Sequence, residues 1–160
     1  MRRRGFTLIE LMVVIAIIAI LALITLPSLR VRLVRGQIVE SAALIDAAKA
    51  QVAAAWQRDK RLPADNTAAG LPAPTKMVGN FVTAIEVEGG TLHVRFGGAQ
   101  ANAALREHVL SLRPAVVADA PVVPIAWVCG RAPVPAGMSA AGNDRTDLPD
   151  DLLPLNCRSH

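Results

Sequence analysis

The chain is poor in the side chains from which catalytic and metal centres are assembled. Its three histidines, His93, His108 and His160, are scattered and have no partner at catalytic or metal-ligand spacing. Ser139 and Ser159 lack the neighbours of an activated nucleophile. The two cysteines, Cys129 and Cys157, have no Cys/His cluster around them, which argues against a zinc site. There is no phosphate-cradling glycine loop; Gly89-Gly90 and Gly97-Gly98 read as turns. These absences predict no enzyme, with no catalytic residue, no metal and no cofactor.

A basic surface is also missing. The formal charge of +4 comes from 17 basic and 13 acidic residues, and without Arg2, Arg3 and Arg4 the balance falls to +1. The alkaline character thus belongs largely to the first few residues and does not argue for nucleic acid. Basic residues farther along are spread out, so DNA is a weakly supported partner.

What is present is a run of about 21 apolar residues from Phe6 to Leu26, directly behind Met1-Arg2-Arg3-Arg4-Gly5. As a helix it would measure roughly 30 Å, enough to cross a bilayer core. One carboxylate, Glu10, interrupts it, and a charge inside such a segment calls for a partner. A secretory signal peptide fits poorly, because the run is longer than the usual h-region and lacks a small-x-small cleavage site. A plain single-pass anchor accommodates the length and leaves Glu10 snorkelling at the interface.

Arg4-Gly5-Phe6-Thr7-Leu8-Ile9-Glu10-Leu11-Met12-Val13-Val14, followed by an Ile/Ala/Leu run and Pro27, resembles the class III signal of type IV pilins and their relatives. The resemblance implies cleavage between Gly5 and Phe6 by a membrane prepilin peptidase, N-methylation of Phe6, and retention of the apolar run. It also implies a cytoplasmic leader. Cleavage would create a positive amine at Phe6, about one helical turn from Glu10. A neighbouring subunit displaced by that turn would set its amine against this carboxylate, so Glu10, Phe6 and Thr7 are the expected register residues. Arg30, Arg32 and Arg35 balance the leader arginines, so charge alone does not fix the orientation.

The helix is expected to continue past Pro27, which should kink or loosen it, to about Lys60. Its first half should project from the domain. Ile38, Ala42, Ile45, Val52 and Trp56 recur at helical spacing, Glu40, Gln51 and Arg58 fall opposite, and Lys49 lies at the edge of the stripe. Where pilins commonly have a glycine in the membrane segment this chain has Ala19, which should stiffen it.

A loop with Pro63, Gly70, Pro72 and Pro74 leads to a β-rich half. Residues 81–87 and 92–96 bracket Glu88-Gly89-Gly90 as a hairpin, with further strands expected near residues 107–112 and 122–129. Pro114, Pro121 and Pro124 should limit strand ends. The two cysteines are either bridged, which would suit an exported domain, or two free thiols.

Pro124-Ile125-Ala126-Trp127-Val128-Cys129-Gly130 and Leu152-Leu153-Pro154-Leu155-Asn156-Cys157-Arg158 are similar to the closing segments of type IVa major pilins, whose cysteines are disulfide-bonded. Asp144, Asp147, Asp150 and Asp151 read either as a solvated loop or as the calcium ligands of a secretion-system pseudopilin.

The expected architecture is α+β, the type IV pilin fold: a long N-terminal helix on a four-stranded antiparallel sheet, closed by a disulfide-bounded loop. The segments are a leader at 1–5, an apolar assembly helix at 6–29, an amphipathic helix at 30–61, a connecting loop at 62–78, the sheet at 79–129 and the closing loop at 129–157. The resemblance implies an inner-membrane precursor that becomes an extracellular homo-oligomeric filament, served by the peptidase and a separate assembly machinery. Adhesion, twitching motility and DNA uptake are its implied roles. The alternatives are a competence pilin that binds DNA and a type II secretion pseudopilin.

Overall fold

The computed structural model describes residues 6–118 and 120–159, with the side chains of residues 24–28 excepted. The leader, with Gly5, and His160 lie outside the described residues. The chain divides into two units, residues 1–33 and residues 34–160.

Helix α1 spans Leu8–Glu40 and α2 spans Ala42–Asp59. A single continuous helix was the sequence expectation, and Ser41 interrupts it. Its hydroxyl donates to the Gln37 carbonyl at 2.9 Å while its own N–H is shared between Gln37 and Ile38. Such back-bonding by serine locally competes with the regular ladder. Lys60 then ends α2 in a left-handed conformation, with its N–H on the Trp56 carbonyl.

Within the second unit the buried helical stripe is Val34, Ile38, Ser41, Ile45, Ala48, Val52 and Ala55. Ile38, Ile45 and Val52 were expected there, whereas Ala42 and Trp56 are only half-buried. Lys49 sits at the stripe's edge as expected, paired with Asp46 and lying 6.0 Å from the Trp127 ring.

The sheet has five strands rather than four: β1 (Val82–Glu88), β2 (Thr91–Phe96), β3 (Val109–Val116), β4 (Ala126–Cys129) and the short β5 (Ser139–Ala140). All pairings are antiparallel in the order β1-β2-β3-β4, with β5 added to β3 beside Ala115 and Val116. Gly89 and Gly90, both at positive φ, make the tight β1–β2 turn. The register stacks Ile85 with Val94 and Leu110, and Val87 with Leu92 and Leu112, on one face. Glu86, His93 and Ser111 form a row on the other.

Two strand bounds depart from expectation. Pro114 lies inside β3 instead of ending it; its carbonyl accepts the Ala141 N–H on the side where β2 has already ended, so the missing proline donor breaks no β2 ladder bond. The fourth strand begins only at Ala126, because Val123 N–H turns back to the Ala120 carbonyl.

Strand β1 is an edge, and the connecting loop covers it. Asn66, 4% exposed, donates to the carbonyls of Pro72 and Ile85 and accepts the Val87 N–H at 2.7 Å. Gly89 N–H adds a bond to the Ala64 carbonyl. Asn66 thus satisfies backbone groups that an open edge would leave bare.

Cys129 and Cys157 are disulfide-bonded across 28 positions of sequence. Reducing the bridge is expected to destabilise the domain by about 3–4 kcal/mol in the chain-entropy estimate. Denaturant melts with and without reductant measure the difference, and coincident midpoints would refute it.

Candidate functional site

The start of α1 is built as a capping box. Thr7 is the N-cap, and its Oγ1 accepts the Glu10 N–H at 3.3 Å; Glu10 Oε2 in return accepts both the Thr7 N–H and the Thr7 hydroxyl at 2.9 Å. Thr7-x-x-Glu10 has the spacing of a capping box in the sequence itself. Glu10 therefore has local donors before any neighbour arrives.

Behind this cap the helix exposes an apolar surface. Phe6 is 86% exposed, and Leu8, Ile9, Leu11, Met12, Ile15, Ile17, Ile18, Ile20, Leu21 and Leu23 are all more than half exposed. Contiguous apolar surface on this scale marks an interaction face. Phe6, Ile9, Glu10, Val13 and Val14 line a shallow concavity around the carboxylate. Among the described residues no helix is long and apolar enough to cross a membrane; the described side chains of the run stop at Leu23, short of its end at Leu26. Pro27 lies within α1, and its side chain is outside the described residues.

Arg35 does not belong to a free basic flank. Its guanidinium donates to the Asp151 carbonyl at 2.6 Å, inside the folded unit. Gln37 likewise grips the loop after β2, donating to the Gln100 carbonyl and accepting the Asn102 N–H.

The four aspartates of the closing loop act singly. Asp144 accepts the Thr146 N–H, Asp147 accepts the Val109 N–H and faces His108, and Asp150 pairs with Arg131. The Asp151 carbonyl receives Arg35 and Arg158. Among the described residues no group of three or more His, Cys, Asp or Glu side chains is placed to hold a metal. Ser139 and Ser159 are exposed.

His93, scattered and without a visible partner in the sequence, has one in the fold. It is buried, with Nδ1 2.9 Å from the Ser111 hydroxyl. Burial, and next the Arg145 guanidinium, hold it below its ordinary value against the pull of Glu88 and Glu86.

Comparison with known proteins decides what this assembly is. Residues 34–158 match the family described as pilin, a bacterial filament protein, and residues 1–26 match the prokaryotic N-terminal methylation motif. The chain belongs to the pilin family. It is 33% identical to the type IV major pilin protein PilE1 of Neisseria gonorrhoeae over 161 residues, covering 98% of this chain and 87% of that protein. A fimbrial protein of Neisseria meningitidis serogroup A is 33% identical over 89% of this chain and 81% of its own. Fimbrial protein EcpC of Eikenella corrodens is 35% identical over 53% of this chain and 54% of its own. As a pilin it is a structural subunit of a type IV pilus, a role that adhesion and motility fit. The helix, the antiparallel sheet and the disulfide-closed loop are the α+β pilin fold.

Proposed function

We propose that this pilin is made as a single-pass inner-membrane precursor, cut between Gly5 and Phe6, N-methylated on Phe6 and then assembled through its apolar helix. The observation that carries this reading is the capped helix whose apolar residues from Phe6 to Leu23 are exposed on all sides. Such a surface is stable only in lipid or against other helices, and a filament core supplies the second after the membrane supplies the first. The complete apolar run of the sequence, to Leu26, has the length of a bilayer core.

In the filament, Glu10 exchanges its Thr7 donors for the Phe6 amine of an adjacent subunit. That pair sets axial register more than it adds stability, since two charges leave lipid headgroups or water to form it. Pro27 supplies a point at which the helix loosens as subunits leave the membrane. The protein acts as a scaffold with no chemistry of its own, serving adhesion and twitching motility, with DNA uptake a further role of the same filament.

The test is the intact mass, with N-terminal fragmentation, of protein from sheared filaments. The expected chain starts at N-methylated Phe6 and is two hydrogens lighter than its reduced form. Unprocessed chain confined to the membrane fraction would overturn the reading and leave a plain anchored domain.

A further inference from the structure

Three buried polar residues, Thr91, His93 and Ser111, lie on the sheet face opposite Leu92, Val94 and Leu110. What covers them is a strap inside the disulfide-closed loop, residues 139–147. Ala140 pairs with Ala115, and Ala141 N–H reaches the Pro114 carbonyl, on the β2 side of β3. Asp147 instead exchanges hydrogen bonds with Val109, on the side where Gly130 N–H meets the Ser111 carbonyl. The strap therefore crosses β3 over its outer face. Gly142, at φ +72°, makes the crossing, and any Cβ there would collide with the Thr91 hydroxyl.

Hydrogen bonds from Thr91 and Ser111 hold the crossing, among them Ser111 N–H to Thr146 Oγ1 at 3.0 Å, and one of them leads to His93. Thr91 Oγ1 donates to the Ala141 carbonyl at 3.1 Å, and Ser111 Oγ accepts the Arg145 N–H at 2.8 Å. The same hydroxyl lies 2.9 Å from His93 Nδ1, and it donates its hydrogen there when the ring is the neutral tautomer protonated on Nε2. In that tautomer the Nε2 proton lies toward Glu88, whose Oε2 is 3.3 Å away. The Arg145 guanidinium is the counterion of this cluster, paired with Glu88 and 3.5 Å from Glu86. Arg95, on His93's own strand, is exposed, and Arg113 of β3 turns to the Gly130 carbonyl.

Protonating Nδ1 reverses this arrangement. The ring and the Arg145 N–H would then occupy both lone pairs of the Ser111 oxygen, and the hydroxyl hydrogen would lose His93 as its acceptor in a fully buried site. The new imidazolium would also face Arg145, a like charge. Both conflicts end if the strap lifts: Arg145 departs, and the imidazolium takes its place beside Glu86 and Glu88. We infer that residues 139–147 form an acid-released clasp, closed by neutral His93 through Ser111 and opened when protonated His93 displaces Arg145 from Glu86 and Glu88. His108 faces Asp147 at the far end of the strap, and the disulfide keeps both ends of the loop leashed.

The direction of the pH dependence follows from the lowered His93 value. As pH falls, the strap-free state, whose imidazolium faces Glu86 and Glu88 without Arg145, takes up its proton at a higher pH than the closed state. The closed state therefore loses stability progressively below that higher pH, until the closed form is itself protonated.

Amide hydrogen exchange by NMR on the full-length chain in detergent micelles tests the inference, with rates corrected for intrinsic pH dependence. Between about pH 7.5 and about pH 5, protection of the Ala141 and Arg145 amides is expected to fall by about tenfold, while that of Val87 and Val94 holds within about twofold. In His93→Gln, which retains an acceptor for Ser111 and does not titrate, the acid response should vanish. Unchanged strap protection in the native chain, or the same loss in the variant, would overturn the clasp. Should the variant misfold, the His93 ring resonances of the native chain decide: they must titrate in step with the strap amides, and a ring that titrates while strap protection stays constant refutes it.

Discussion

Filaments recovered from cells expressing Glu10→Ala are expected to fall by at least about tenfold, and Glu10→Gln is expected to do no better. The pairing of the two variants separates two jobs of one carboxylate. Glutamine serves in a capping box nearly as well as glutamate, so Glu10→Gln keeps the bonds from Thr7 N–H and Oγ1 while removing the charge. Alanine removes both. If capping were the whole role of Glu10, the glutamine variant would assemble normally and the alanine variant would show only a frayed helix start worth about 1 kcal/mol. If charge pairing with a neighbour's Phe6 amine sets register, both variants fail alike. Quantifying sheared filament protein against total membrane protein reads the outcome, and normal assembly of Glu10→Gln would sink the register proposal.

Asn66→Asp should cost the folded domain about 3–5 kcal/mol, a large share of the stability of a small domain. The amide's two donors hold the carbonyls of Pro72 and Ile85 at 3.0 and 2.9 Å, and a carboxylate there would present oxygen to oxygen in a buried site. Only the acceptor bond to Val87 N–H survives the change. Loss of Asn66 also frees the loop that covers the β1 edge, so the variant should associate edge to edge on partial unfolding. Denaturant melts of the detergent-solubilised chain give the magnitude; a stability within about 0.5 kcal/mol of the native protein would refute the reading of Asn66 as the edge's closing residue.

The features easiest to read from sequence were those with a local cause. The hairpin turn needed positive φ at two successive positions, and Gly89-Gly90 announced it. The apolar run with Glu10 carried a family signal that the matched methylation motif bears out. The paired cysteines marked the closing loop, and the bridge is there. What stayed hidden depended on partners distant in sequence. His93 has no visible partner in the sequence because nothing near it foretells that residues 139–147 cross above it. Ala48 and Ala55 are too weakly apolar to stand out, yet they bring α2 close to the sheet. A proline ends a strand only when its missing donor is needed by a partner, and Pro114 lies between the end of β2 and the start of β5, where Ala141 uses only its carbonyl. The short strand β5 is the start of the strap, formed where it runs beside β3.

Between the arginine that follows the disulfide strand and the start of the strap lie Pro133, Val134, Pro135, Ala136 and Gly137, all exposed. Both flanks are fastened independently, one by Cys129 and the Arg131–Asp150 pair, the other by the hydrogen bonds of Ala140 and Ala141. Lengthening such a bracketed arc costs only about 0.6 kcal/mol for each doubling, and changing its letters disturbs no packed neighbour. This stretch can therefore drift, grow or be exchanged wholesale across generations while the scaffold beneath it stays the same, a thermodynamic licence for surface variation written into where the fastenings sit.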